Sequence, residues 1–260
     1  MICIALAACT AGDTNAPIIT SGGGAPATPP PASPPAITPP PSPPVTAGAF
    51  PILFVTQVPV SGDFTAITAT FGNHNPSMQQ APRGGDLWIR YLDGTLKNLT
   101  KTAGFGMEGL QLDQAIAVRD PSVHWDGQKA IFSMAIGAPT QQFQVKNFVW
   151  QLDEITGLGK NQQPVIAKVP NQPQDYNNVS PIYGTDDRII FTSDRPRSGE
   201  RHLHPQHDEY ESTAVVSGLW SLNRTNGDLF LMNHATSGNF SPNVNTFGRV
   251  LLTQWDHLKR

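Results

Sequence analysis

Asp120 to Ser133 reads DPSVHWDGQKAIFS, Ser180 to Ser193 reads SPIYGTDDRIIFTS, and Ser241 to Thr253 reads SPNVNTFGRVLLT. Lined up on Pro121, Pro181 and Pro242, the three stretches share a Pro after a small polar or acidic residue, then a turn, then an apolar run. A second element recurs out of phase with the first. Asp86 to Thr95 is DLWIRYLDGT, Phe148 to Asp153 is FVWQLD and Gly218 to Asn223 is GLWSLN, with Trp88, Trp150 and Trp220 in register. Two elements that return at about 60 residues mark one supersecondary unit used several times.

Each unit reads as a strand, a turn with Asp-Gly or Asn-Gly, a second strand, a loop, and the Ser-Pro element leading into an apolar strand. That is a four-stranded antiparallel sheet. Such sheets cannot bury both faces alone, and they pack side by side around an axis with Trp and Phe between them. The expected fold is all-β: a β-propeller of four-stranded antiparallel blades, with a β-sandwich as the competing arrangement. The recurrent Trp residues read as core rather than as a ligand cage. Gly109 to Val118 is the nearest approach to a helix. Three units plus the run Ile52 to Thr56 make about three to four blades, so an incomplete propeller with open strand edges is expected.

Family resemblances attach to these same residues. DLWIRYLDGTLKNLT (Asp86 to Thr100) and DPSVHWDGQKAIFSM (Asp120 to Met134) resemble the paired strand motifs of TolB-type propeller repeats, in which a Ser-Pro-Asp-Gly-like turn precedes the strand. The later units lose that turn, at Thr185-Asp186-Asp187 and Thr246-Phe247-Gly248, and carry insertions. Tyr176 to Tyr183, Tyr210 to Thr213, Ser217 to Trp220 and Gly248 to His257 more closely resemble the middle propeller domain of the hydrazine synthase alpha subunit. The resemblance covers about residues 50 to 260 and implies a propeller. It also raises an alternative function, a non-haem fragment of an envelope redox enzyme subunit. Haem chemistry does not carry over, because the chain has no CxxCH attachment site.

Composition narrows the partners. With 17 basic and 20 acidic residues, net charge -3, the chain has no polyelectrolyte face for nucleic acid. Its two Cys, Cys3 and Cys9, leave the body without a disulfide framework or thiolate zinc site. Eleven of 25 Pro fall between Pro26 and Pro44, among Ala, Ser and Thr with a single Ile. With few donors and nothing large to bury, this stretch is expected to be an extended, disordered spacer, roughly 60 Å long at ~3.1 Å per residue. In front of it Leu6-Ala7-Ala8-Cys9 resembles a bacterial lipobox, and the alternative is a short apolar N-terminus with an incidental Cys. The expected organisation is a signal or lipobox remnant over 1–9, a Pro-rich tether over 10–49 and propeller repeats over 50–260. The expected location is the bacterial cell envelope, with a lipid anchor at Cys9.

No Gly-rich phosphate loop, Ser nucleophile elbow or HExxH occurs, so no catalytic residue is assigned and binding is the expected role. The densest polar stretch, Asp194 to Glu211, holds His202, His204 and His207 beside Asp208 and Glu209. Imidazoles and carboxylates at that density suit Zn or Cu, with His257 added from the following unit; a solvated loop is the plainer reading. His234, Asp256 and Glu209 are candidates for the same ligand face. The expected partner is a protein or small molecule of the envelope. Asp63, Asp120 and Asp194 are the carboxylates a glycosidase would draw on, but no spacing selects a pair.

Overall fold

The computed structural model describes residues 50–58, 83–107, 113–138, 140, 148–196, 217–234 and 238–255, with residue 255 described by its backbone alone. The chain divides into two units, Met1–Val45 and Thr46–Arg260, and every described residue belongs to the second. Among the described residues the architecture is all-β, with four antiparallel sheets. Sheet 1 has β1 (Ile52–Val55), β2 (Leu87–Arg90) and β3 (Leu96–Asn98). Sheet 2 has β4 (Ile116–Val123), β5 (Lys129–Ile136), β6 (Gln151–Thr156) and β7 (Val165–Lys168). Sheet 3 has β8 (Asn178–Tyr183), β9 (Ile189–Ser193), β10 (Gly218–Leu222) and β11 (Leu229–Asn233). Sheet 4 has β12 (Gly238–Val244) and β13 (Val250–Trp255). In each, hydrogen-bonded neighbours are consecutive in the chain. Among the described residues no sheet closes on itself.

The expected helix over Gly109 to Val118 gives way to strand: Ile116, Ala117 and Val118 open β4, while 108–112 lie outside the described residues. The misreading has a physical cause. Ile116 and Val118 join one apolar cluster and Ala117 another. A strand covered on both faces loses the polar alternation that marks a strand in sequence. The only helical turn among the described residues is α1 (Leu99–Thr102), capped by Asn98, whose side chain accepts from the Lys101 N–H.

The Ser-Pro element lies inside the first strand of three sheets. Pairing shifts register between Arg119 and Ser122 in β4, between Val179 and Ile182 in β8, and between Phe240 and Asn243 in β12. Pro supplies no N–H to a ladder, and a bulge accommodates it. The residue before each Pro takes left-handed backbone geometry: φ is 53° at Asp120, 52° at Ser180 and 48° at Ser241. Such a conformation costs a non-Gly residue about 1–2 kcal/mol. At the first bulge, Asp120 Oδ2 accepts from Arg119 Nε (2.8 Å), the Ser180 N–H (3.0 Å) and Ser180 Oγ (2.9 Å). One oxygen thereby joins the bulges of sheets 2 and 3.

Two of the three indoles fall within equivalent strands, and the third does not share their register. Trp88 lies opposite Phe54 and Trp220 opposite Phe191. In sheet 2 the residue opposite the corresponding Phe132 is Asp153, while Trp150 precedes β6 and packs with Ala117, Ala135 and Val179 on the other face. The expectation of three superposable indoles therefore holds for two of them. Asp153 is 4% exposed, and burial raises its pKa to about 7 although its cross-strand neighbour Lys168 pulls it down.

Two predictions follow from these seams. Asp120→Ala leaves the buried Arg119 guanidinium without its carboxylate and costs about 3–5 kcal/mol in urea unfolding. Asp120→Asn, which tolerates left-handed geometry and keeps an acceptor, costs about 1–2 kcal/mol. At position 153 the folded state holds a proton that the unfolded state has released, so stability falls as pH rises from about 4 to about 7. Asp153→Asn removes that slope, and its midpoint exceeds that of the parent protein at pH 8 but not at pH 4.

Candidate functional site

Strand direction sorts the connections between two ends. At one end are the turns 91–95, 124–129, 184–188, 223–228 and 245–249, with the connection 157–164. They repeat one pattern, a backbone N–H bonded to the carbonyl three or four residues back. The pairs are Gly94 to Tyr91, Gly127 to His124, Asp187 to Gly184, Gly227 to Asn223 and Gly248 to Asn245. The donor has φ between 61° and 83° in every case. The second repeat therefore keeps the turn that its sequence had lost, with Asp187 (φ 61°) where the first repeat has Gly127. At the opposite end the chain runs between strands through 56–86, 99–115, 137–150, 169–177, 194–217 and 234–237.

The roots of these long connections are tied by side-chain amides, of which Gln151, Gln172 and Asn178 are buried and Asn177 half-buried. Asn177 donates from its N–H to Asp194 Oδ1 and from Nδ2 to Asp194 Oδ2, both 2.7 Å, and its Oδ1 accepts from the Trp150 N–H (3.0 Å). Gln172 Oε1 accepts from the Leu152 N–H (2.7 Å) and from Asn178 Nδ2 (3.1 Å), and Gln172 Nε2 donates to the carbonyls of Leu152 and Val169. Gln151 Nε2 donates to the carbonyls of Pro173 and Tyr176, and Ser193 Oγ donates to Asn178 Oδ1. Sequence patterning did not single out these residues, because Asn and Gln between strands look like ordinary loop composition. Burial holds the Asp194 carboxyl above its usual range even though Asn177 donates to it twice.

Of the expected site residues, His234 alone is described; it is exposed and follows β11. Cys9, His202, His204, His207, Asp208, Glu209, Asp256 and His257 lie outside the described residues. Their neighbours in the chain do meet. Ser217 forms a parallel bridge with Gly238, and Gly238 pairs with Trp255. Asn233 Nδ2 donates to Asn239 Oδ1 (3.4 Å) and Gln254 Oε1 (2.9 Å). Asp120 and Asp194 are each engaged as described, and Asp63 is outside the described residues. Among the described residues no group of three or more His, Cys, Asp or Glu side chains is placed to hold a metal ion.

A second polar cluster joins sheets 2 and 3 near the turns. Glu154 Oε1 accepts from Tyr183 OH (2.8 Å) and Arg224 Nη1, with Lys129 Nζ at 3.5 Å. Burial opposes ionisation of Glu154, but these donors hold its pKa below the usual range. Burial, then Glu154 itself, pushes the Tyr183 hydroxyl up. Each group is satisfied by the next, so the cluster is a clamp with no side chain left for chemistry.

No family model matches the chain, and no curated protein matches it. Among solved structures, the crystal structure of puromycin hydrolase matches 63% of this chain and 28% of its own, at 12% identity and a TM-score of 0.29. The chain thus spans less than a third of that protein's length.

Removing the Asn177 side chain isolates what the loop roots contribute. Asn177→Ala takes a donor from Asp194 and an acceptor from Trp150, a loss of about 2–4 kcal/mol. The Asp194 pKa then rises further, so stability declines with increasing pH over a wider range above the usual carboxylate value than in the parent protein. Urea unfolding at pH 4.5 and pH 7 reads both effects.

Proposed function

We propose that this chain is a cell-envelope β-propeller module, lipid-anchored at Cys9, that binds a protein or small-molecule partner at its loop-bearing end. The observation that carries the reading is the division of labour between the two ends: short, repeated turns at one, and at the other mostly long connections whose roots are locked by side-chain amides. Recognition residues are commonly held this way, on variable loops above a rigid scaffold. The blade reading draws support from β8 lying beside both β4 and β12, each with a bulge before Pro, which fits successive sheets arranged about an axis. The TolB-type resemblance of the first repeat agrees with it. His202, His204 and His207, on one of the long connections at this end, would supply Zn or Cu ligands, with His257 and the carboxylate of Asp208 completing the set.

Photo-crosslinking in intact envelopes tests the binding end. His234→benzoylphenylalanine is expected to capture one discrete partner band, and Asp186→benzoylphenylalanine, among the short turns, none; the reverse pattern overturns the assignment. Calorimetric titration of the full chain with Zn and Cu is expected to show saturable binding that the triple variant H202A/H204A/H207A loses. Equal binding by both proteins removes the metal from the reading.

A further inference from the structure

In sheets 2 and 3, arginine side chains lie over aromatic rings and are completed by a carboxylate. Arg119 stands over Trp150, with 5.6 Å from its guanidinium carbon to the ring centroid, and donates from Nε to Asp120 Oδ2 (2.8 Å). Arg188 stands over Phe230 at 4.8 Å and donates from Nη1 to Asp228 Oδ2 (2.8 Å). Arg195 repeats the first half of this arrangement, standing over Trp220 at 4.9 Å, but among the described residues its guanidinium meets no carboxylate. Its neighbour Asp194 is committed elsewhere, both oxygens accepting from Asn177. Arg195 is half-buried, and a cation partly withdrawn from water attracts an anion more strongly than an exposed one.

The stack is also held in place. The Arg195 N–H donates to Ser193 Oγ (3.2 Å), which in turn donates to Asn178 Oδ1 (2.9 Å), so the chain is fixed where it leaves β9 for the connection 194–217. Trp220 is 6% exposed, clusters with Leu152 and Phe191, and has no acceptor for its buried Nε1, so packing and not hydrogen bonding sets the ring. A guanidinium laid on a fixed ring keeps its in-plane donors free for two parallel bonds to one oxyanion.

We propose that Arg195 binds a carboxylate of the partner, completing at the loop-bearing end the stack that Asp120 and Asp228 complete within the sheets. The proposal rests on the reading of that end as the binding end and adds the chemistry of what is bound: an acidic side chain or a small organic acid. The protein's own two stacks favour carboxylate over other anions, since each is finished by an Asp. Arg and Trp are also the residues in which interfaces concentrate their affinity.

The test titrates the full chain, isotope-labelled at arginine, with glutarate and with the peptide tetraglutamate. Both are expected to shift the Arg195 Nε–H resonance saturably, while chloride at matched concentration leaves it in place. A response to both ligands makes a small acid sufficient, and a response to the peptide alone makes an acidic protein segment the source. R195Q abolishes the shift in binding isotherms, and R195K, which keeps the charge without the fork, weakens binding by about tenfold. The urea midpoint of R195Q stays near that of the parent protein, whereas R188Q, which strips Asp228 of its partner, lowers it. No saturable shift, an equal response to chloride, equal binding by R195Q, or a midpoint loss in R195Q as large as in R188Q overturns the proposal. The crosslinking at His234 is read separately: capture undiminished by R195Q overturns Arg195 alone, whereas absent capture with a positive titration overturns the binding end and keeps the carboxylate site.

Discussion

One carboxylate oxygen, Asp120 Oδ2, receives three hydrogen bonds and sets how the first two complete sheets meet. The strand bends because Pro121 cannot join the ladder, and the bend brings Asp120 to Ser180 at the equivalent bend of the next sheet. Left-handed geometry at both residues is unfavourable in isolation and persists because the contact between them over-determines it. Arg119 is held in the same arrangement and lies over the Trp150 ring, with 5.6 Å from its guanidinium carbon to the ring centroid. Backbone bend, ion pair and core indole are therefore parts of one seam.

From that seam outward the two ends of the sheets divide. Turns of three or four residues need little beyond a left-handed fourth position, and Gly or Asp supplies it. They close one end tightly enough for inter-sheet pairs such as Lys160 with Asp93 to form across them. The other end is spanned mostly by longer connections, of nine residues (169–177) or more apart from the four-residue 234–237, and the amides of Gln151, Gln172, Asn177 and Asn178 take over there the work that turn hydrogen bonds do opposite. A scaffold rigid up to the point where its connections leave lets their sequence vary without disturbing the sheets.

Much of this architecture is legible in the sequence. Pro121, Pro181 and Pro242 identify the repeated strand, because a Pro at fixed spacing marks a bend that the fold must accommodate. Ile116 to Val118 were misread because strands buried on both faces lack alternation. Trp150 was misread because its motif, not its pairing, matches Trp220; one must know that Phe132 pairs with Asp153 to see the three-residue displacement. The amide network was silent because satisfaction of a buried Gln depends on carbonyls brought from several loops. For the candidate site, the sequence points to His-rich composition, and the structure shows only that the flanking segments share one end.

Asp153 has a consequence for cooperativity. Packed repeats behave as a chain of nearest-neighbour couplings, in which each interface sets how strongly one unit's unfolding drags the next. The interface between sheets 2 and 3 has Phe191 and Trp220 at its centre, whereas that between sheets 1 and 2 has Phe132 and an acid that must be neutral to be buried. The coupling of sheet 1 to sheet 2 thus weakens as the Asp153 carboxyl gives up its proton. Sheet 1 also comes first in chain order, so the loosening falls there and leaves the pair of sheets held by the Asp120 oxygen joined.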